Sequence, residues 1–270
     1  MANCAQCGNA MPGFSFGDER DICAECARKQ QMVEPPRSQP AIWQQAPVTT
    51  GIIALCVLIY VAMSISGGSI AAPTRGDVLR WGGTGPDIIA QGEWWRLVTA
   101  VFVHIGIIHI ASNMYVFWGL GLIAERLLGR WNFLATYLLT GIAGNVLTLL
   151  VKPNIVGAGA SGAIFGLAGV LISVLQFGRL TVPPERLKPL KQQVMRLAFY
   201  NLLIGAIVPG INNVAHLGGL IYGLLLGLLF AWSTRLDQAT RLKVQRVGLV
   251  AATVLLAAAS YGIERLYTTS

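Results

Sequence analysis

Residues 156–169 read VGAGASGAIFGLAG, and the architecture turns on how that stretch is understood. Five glycines (157, 159, 162, 166 and 169) surround a single serine, Ser161, in a run that is otherwise apolar. Such a serine is either hydrogen-bonding glue between membrane helices or a nucleophile placed where a bilayer normally excludes chemistry. The surrounding chain favours a membrane. Hydrophobic residues make up 54% of the 270 and charged residues only 12%, about half the usual quarter. The net charge of +8 is sparse and scattered, which argues against a nucleic-acid groove. The useful question is where those cations fall relative to apolar spans.

Seven apolar segments are legible, at about 50–66, 97–124, 131–151, 157–178, 194–209, 213–233 and 246–263. A span takes about 20 residues. The over-long second segment should therefore start outside the lipid, around 97–103, and the fifth is short. Residues 67–96 form the only long loop and carry Trp81, Trp94 and Trp95, which suit a membrane interface. The expectation is an all-α polytopic membrane protein. With a cytoplasmic N-terminus, fifteen of the 20 Lys and Arg lie inside, leaving Arg75, Arg80, Arg96, Lys152 and Arg265 outside. That asymmetry predicts the N-terminus in and the C-terminus out, as in a bacterial-type plasma membrane. No hydrophobic run opens the sequence, so no cleavable signal peptide is expected.

The first residues differ in kind. Cys4-x₂-Cys7 and Cys23-x₂-Cys26, separated by fifteen residues, have the spacing of a four-thiolate zinc site. Two disulfides are the alternative, but the topology puts this segment in the reducing cytoplasm. Four thiolates leave no open position, so the zinc would be structural. Four prolines within 35–47 mark an extended linker. The predicted organisation is a cytoplasmic four-cysteine zinc module at 1–30, a Pro-rich linker at 31–49 and a membrane domain at 50–265. Cys56, inside the first apolar segment, reads as small apolar filler.

Polar residues within the apolar segments carry the chemistry: Ser161, His109, Asn113 and His216, with Asn145 and Asn201 elsewhere. Spans two, four and six all run from outside to inside. His109, Ser161 and His216 lie near the outer end of each, at depths agreeing within about one helical turn at 1.5 Å per residue. Asn113 follows His109 at i+4 and shares its face. A serine, a base and two further polar groups therefore converge at one level. Histidine is the usual base for a serine hydroxyl near neutral pH. His109, Asn113 and backbone N–H groups around Ser161 could hold a developing oxyanion. No Asp or Glu lies at that depth, so the site would be a Ser161–His216 dyad. Gly219, Gly223 and Gly227 share the His216 face and permit close helix approach.

These residues carry a resemblance. GASG (159–162), AHLGGLIYG (215–223), HIGIIHIASN (104–113), WWR (94–96) and GLIAERLLG (121–129) are similar, in order and placement, to the rhomboid intramembrane serine proteases. The likeness covers about 50–233, a six-helix core, with the seventh span matching members that add one at the C-terminus. It implies Ser161 as nucleophile and His216 as general base. His109 and Asn113 would line the oxyanion hole with Ser161, and Phe165 would pack on the catalytic histidine. Trp95-Arg96 and Glu125-Arg126 resemble structural motifs of the family, and His104 a structural loop histidine. The implied partners are transmembrane protein substrates and the bilayer, with no cofactor for catalysis and no nucleic acid. Substrate would enter laterally near span five and the Pro209-Gly210 turn. The alternative function is a catalytically silent rhomboid-like escort factor, whose usual sign is loss of the serine or histidine; both are present here. A histidine-ligated haem or metal carrier would leave the serine unexplained.

Overall fold

The computed structural model describes residues 4, 7–9, 25–26, 46–67, 69, 71, 73–85, 91–152, 154–180, 184–208 and 210–268. The chain divides into two compact units, Met1–Ala41 and Ile42–Ser270. Among the described residues the second unit is built on helices: α1 (Pro47–Gly67), α2 (Arg75–Arg80), α3 (Arg96–Thr99), α4 (Ile107–Leu128), α5 (Arg130–Val151), α6 (Ser161–Phe177), α7 (Pro184–Ile207), α8 (Asn213–Ser233) and α9 (Gln238–Thr268). The protein is an integral, multi-pass membrane protein. Five helices (α1, α4, α5, α8 and, through Ile263, α9) are long and apolar enough to cross a bilayer by themselves.

The two apolar segments outside that group differ for physical reasons. α6 has 17 residues, of which 13 are buried, so it is a central helix walled by protein. α7 begins ten residues before its apolar stretch, and its first half carries Glu185, Lys188 and Lys191. The second segment breaks where its excess length suggested. α3 ends at Thr99, the chain turns through residues 100–106, and α4 starts at Ile107.

Glycine decides how α6 meets α8, the most extensively packed pair of helices. A Cβ on Gly219 would run into the Gly162 carbonyl, and one on Gly223 into that of Gly166. One on Gly227 would lie 2.8 Å from Val170. Only bare backbone allows this approach. α5 and α4 contribute a ring cluster to the core, with Phe117 5.2 Å from Tyr137 and 6.2 Å from Phe133. Cys56 of α1 is fully buried in the same core.

Two polar clasps set the frame. At the end of α4, the buried Glu125 carboxylate accepts from the Val48 amide (3.0 Å), the Thr49 amide (2.8 Å) and the Thr49 hydroxyl (2.7 Å). It thus caps the first turn of α1, whose amides lack partners within their own helix. In the long loop, the Arg96 guanidinium donates to the carbonyls of Leu79 and Gly83 and pairs with Glu93 at 2.6 Å. α2 is closed by a capping box between Thr74 and Asp77. The Thr74 hydroxyl and then its amide hold the Asp77 carboxyl below its ordinary range. Thr84 finally exchanges backbone hydrogen bonds with Gly157, tying this loop to the strand-like approach to Ser161.

Candidate active site

Ser161 is the first residue of α6, His216 the fourth of α8 and His109 the third of α4. All three therefore lie in the first turn of their helices, and Asn113 lies one turn further along α4. Ser161, His216, His109, Asn113, Phe165 and Gly159 line one cavity of about 730 Å³. α7 closes one flank through Leu197, Asn201 and Ile204, and the chain between α7 and α8 contributes Gly210. Pro209 lies outside the described residues. Asn145 and Asn201 also reach the cavity, but each amide already donates to a backbone carbonyl, of Leu97 (2.9 Å) and Leu197 (2.8 Å) respectively.

The His216 ring is buried and stacks on Phe165, centroids 4.4 Å apart and planes inclined by 22°. Phe165 sits one turn after Ser161 on α6, so the ring that supports the imidazole also places it over the serine's end of that helix. Among the described residues no hydrogen bond joins the Ser161 hydroxyl to the imidazole. Nucleophile and base are often looser before a substrate tightens the site.

Around the serine the polar groups are strangely idle. His109 Nδ1 and Asn113 Nδ2 are buried with no hydrogen-bond partner among the described residues. A buried polar atom without a partner costs about 1–3 kcal/mol, which a fold tolerates where a ligand will supply that partner. α6 itself opens uncapped: Ala160 at the N-cap offers no side-chain acceptor to the first-turn amides. Gly159, at φ +132°, passes so close to α4 that a Cβ there would lie 2.7 Å from His109 Cε1 and 3.6 Å from Asn113 Nδ2. His104 stands behind this turn. Its Nδ1 is 3.2 Å from the Phe102 carbonyl, its Nε2 accepts from the Ala160 amide at 3.5 Å, and it does not line the cavity. The arrangement can hold an anionic oxygen beside a hydroxyl and an imidazole, which is what acyl transfer requires.

Asn213 escaped the sequence reading. Its side-chain oxygen lies 3.0 Å from His216 Nδ1. The next-door Asn212 does a different job, capping α8 by accepting from the Ala215 amide at 3.3 Å.

In the N-terminal unit, Cys4, Cys7 and Cys26 bring their sulfur atoms within 4.8 Å of one another, and Cys23 lies outside the described residues. The Gly8 amide donates to the Cys4 carbonyl at 2.9 Å, with Gly8 at φ +74°.

Comparison with known proteins gives a consistent set of relatives. The Rhomboid domain family matches residues 91–233. The chain is 37% identical over 192 residues to Rhomboid protease GluP of Bacillus subtilis, covering 70% of this chain and 36% of that protein. It is 36% identical over 185 residues to Putative rhomboid protease YdcA of the same organism, covering 68% of this chain and 88% of that one. Rhomboid-type serine protease 2 of Emericella nidulans is 33% identical over 153 residues, 54% of this chain and 29% of that protein. The chain thus spans about a third of GluP and most of YdcA.

Proposed function

The chain belongs to the rhomboid family, and from that premise we propose that it is an intramembrane serine endopeptidase cleaving transmembrane segments of other proteins. Ser161 is the nucleophile and His216 the general base. The observation that carries the reading is the pair of idle buried nitrogens, His109 Nδ1 and Asn113 Nδ2, beside the cavity that Ser161 and His216 share.

Ser161 Oγ attacks the scissile carbonyl carbon while His216 Nε2 takes the hydroxyl proton. The carbonyl electrons move to oxygen, and the oxyanion is held by His109, Asn113 and the uncapped backbone amides at the start of α6. Collapse expels the amine, which receives the proton back from His216 and leaves an acyl-enzyme. A water then attacks, gives its proton to His216, and releases the new carboxylate as the serine is reprotonated. The substrate helix enters from the flank closed by α7, and residues that weaken its own hydrogen bonding are favoured because a helix hides its peptide bonds.

The N-terminus is cytoplasmic and the C-terminus outside, supported by the fifteen-to-five division of cations. Cys4, Cys7, Cys23 and Cys26 hold one structural zinc ion, supported by the clustering of three of those sulfurs.

The test is cleavage of a transmembrane substrate by reconstituted protein, with labelling by a fluorophosphonate. Wild type should cleave and label at Ser161; Ser161→Ala and His216→Ala should do neither at measurable rate, and the double variant should be no worse than either. Cleavage by folded Ser161→Ala at the wild-type rate would end the protease reading.

A further inference from the structure

The base has a third partner, and it is reached from α7. Asn213 and His216 stand three residues apart in the first turn of α8, so their side chains share one face. Asn213 Oδ1 lies 3.0 Å from His216 Nδ1, while Asn213 Nδ2 lies 3.3 Å from the carbonyl oxygen of Leu202, on α7. The second contact settles the first. A carbonyl can only accept, so the end of the amide facing Leu202 must be the NH₂. The other end is then oxygen, and His216 Nδ1 must be the donor. A neutral imidazole with its hydrogen on Nδ1 has its lone pair on Nε2, the form a general base for Ser161 needs.

The geometry points to Asn213 as the positioning residue of the catalytic base, selecting the Nδ1–H tautomer of His216 under the control of α7. Gly205 completes the lock. A Cβ at Gly205 would strike the Asn213 amide oxygen and lie 2.9 Å from its Cγ, so the amide occupies space that only a glycine on α7 leaves open. α7 is also the helix whose Leu197, Asn201 and Ile204 flank the cavity. The helix that flanks the cavity therefore also holds, through the Leu202 carbonyl, the amide that orients the base. The third member of the catalytic unit is a neutral amide. It orients the ring as a carboxylate does in a Ser-His-Asp triad, without a buried charge.

The kinetic half of this inference rests on the protease reading; the tautomer half does not, and the two are measured separately. Protein labelled with ¹⁵N-histidine contains three imidazoles, and His104→Gln and His109→Gln variants assign the remaining one. Wild-type His216 should show a protonated Nδ1 and an unprotonated Nε2. Asn213→Asp keeps an oxygen facing Nδ1 and, when protonated, an O–H facing Leu202; it should keep the tautomer and retain activity within about tenfold of wild type. Asn213→Leu has similar bulk and no acceptor. It should show mixed tautomers and lose on the order of 10² in kcat with KM little changed, part of the range general-base catalysis spans. Gly205→Ala, which displaces the amide without touching the ring, should resemble Asn213→Leu. A wild-type hydrogen on Nε2 overturns the inference whether or not any variant folds. Equal activity of the folded Asp and Leu variants overturns it as well. Inactive wild-type protein with the Nδ1–H tautomer would instead count against the protease reading while leaving the positioning role intact.

Discussion

Replacing Gly159 with alanine probes the oxyanion site from the backbone side, without deleting any polar group. Two costs follow from the structure. At φ +132° an L side chain is strained, which puts about 1–3 kcal/mol against the native turn. The added Cβ would also stand 2.7 Å from His109 Cε1 and 2.9 Å from Nε2. Carbon atoms rest at about 3.5 Å or more, so the imidazole must retreat by roughly 0.8 Å or swing away. A donor displaced that far from an ideal N···O separation of about 2.9 Å no longer makes a hydrogen bond. Loss of one oxyanion donor costs on the order of 10²–10³ in turnover in well-studied hydrolases. The expected result for Gly159→Ala is therefore a fall of about 10² in kcat for a transmembrane substrate in proteoliposomes, with KM little changed and a lower melting temperature. Because strain alone could lower activity through unfolding, the comparison to make is with His109→Ala and the double variant. If Gly159→Ala acts by moving His109, the double variant should be no slower than His109→Ala. Independent, multiplicative losses would refute the reasoning, as would undiminished turnover in Gly159→Ala.

Other outcomes follow from the same structure. Glu125→Gln keeps one acceptor for α1 but turns an NH₂ toward donors of Val48 or Thr49; it should cost about 2–3 kcal/mol in reversible unfolding in detergent. No change in stability would mean that the cap is incidental. Purified protein should carry about one zinc per chain by elemental analysis, lost in a Cys4→Ser/Cys7→Ser variant, while deletion of residues 1–47 leaves cleavage of a generic substrate largely intact. Metal-free protein with two disulfides would sink the zinc site. A reporter fused after Ser270 should be accessible from outside and one inserted beside Lys188 should not; the reverse pattern would move the catalytic level to the inner face.

How much of this was legible in the sequence depended on whether a residue's role is set by periodicity or by a distant partner. The helices were legible because apolar length is a direct bilayer constraint, and the convergence of Ser161, His216, His109 and Asn113 followed from counting residues inward from the span ends. The shortness of α6 was harder to see, since a helix walled by protein and a helix facing lipid have the same composition. Glu125 was visible as an acid at a span end, but its partners on α1 lie 76 and 77 residues away, with nothing in the local pattern to announce them. Arg96 works through two backbone carbonyls, which have no sequence identity at all. Asn212 and Asn213 are the sharpest case. Two identical neighbours divide capping and base orientation between them, and which does which depends on where α8 starts and on the register of α7 against it. Helix starts read from sequence are uncertain by more than one residue, and one residue is all that separates these roles. The usual orienter of histidine in water-exposed hydrolases is a carboxylate, and the sequence has no Asp or Glu at that depth. In a bilayer the same task falls to an amide, because orientation needs an acceptor at Nδ1 and a fixed second contact, and neither requires charge.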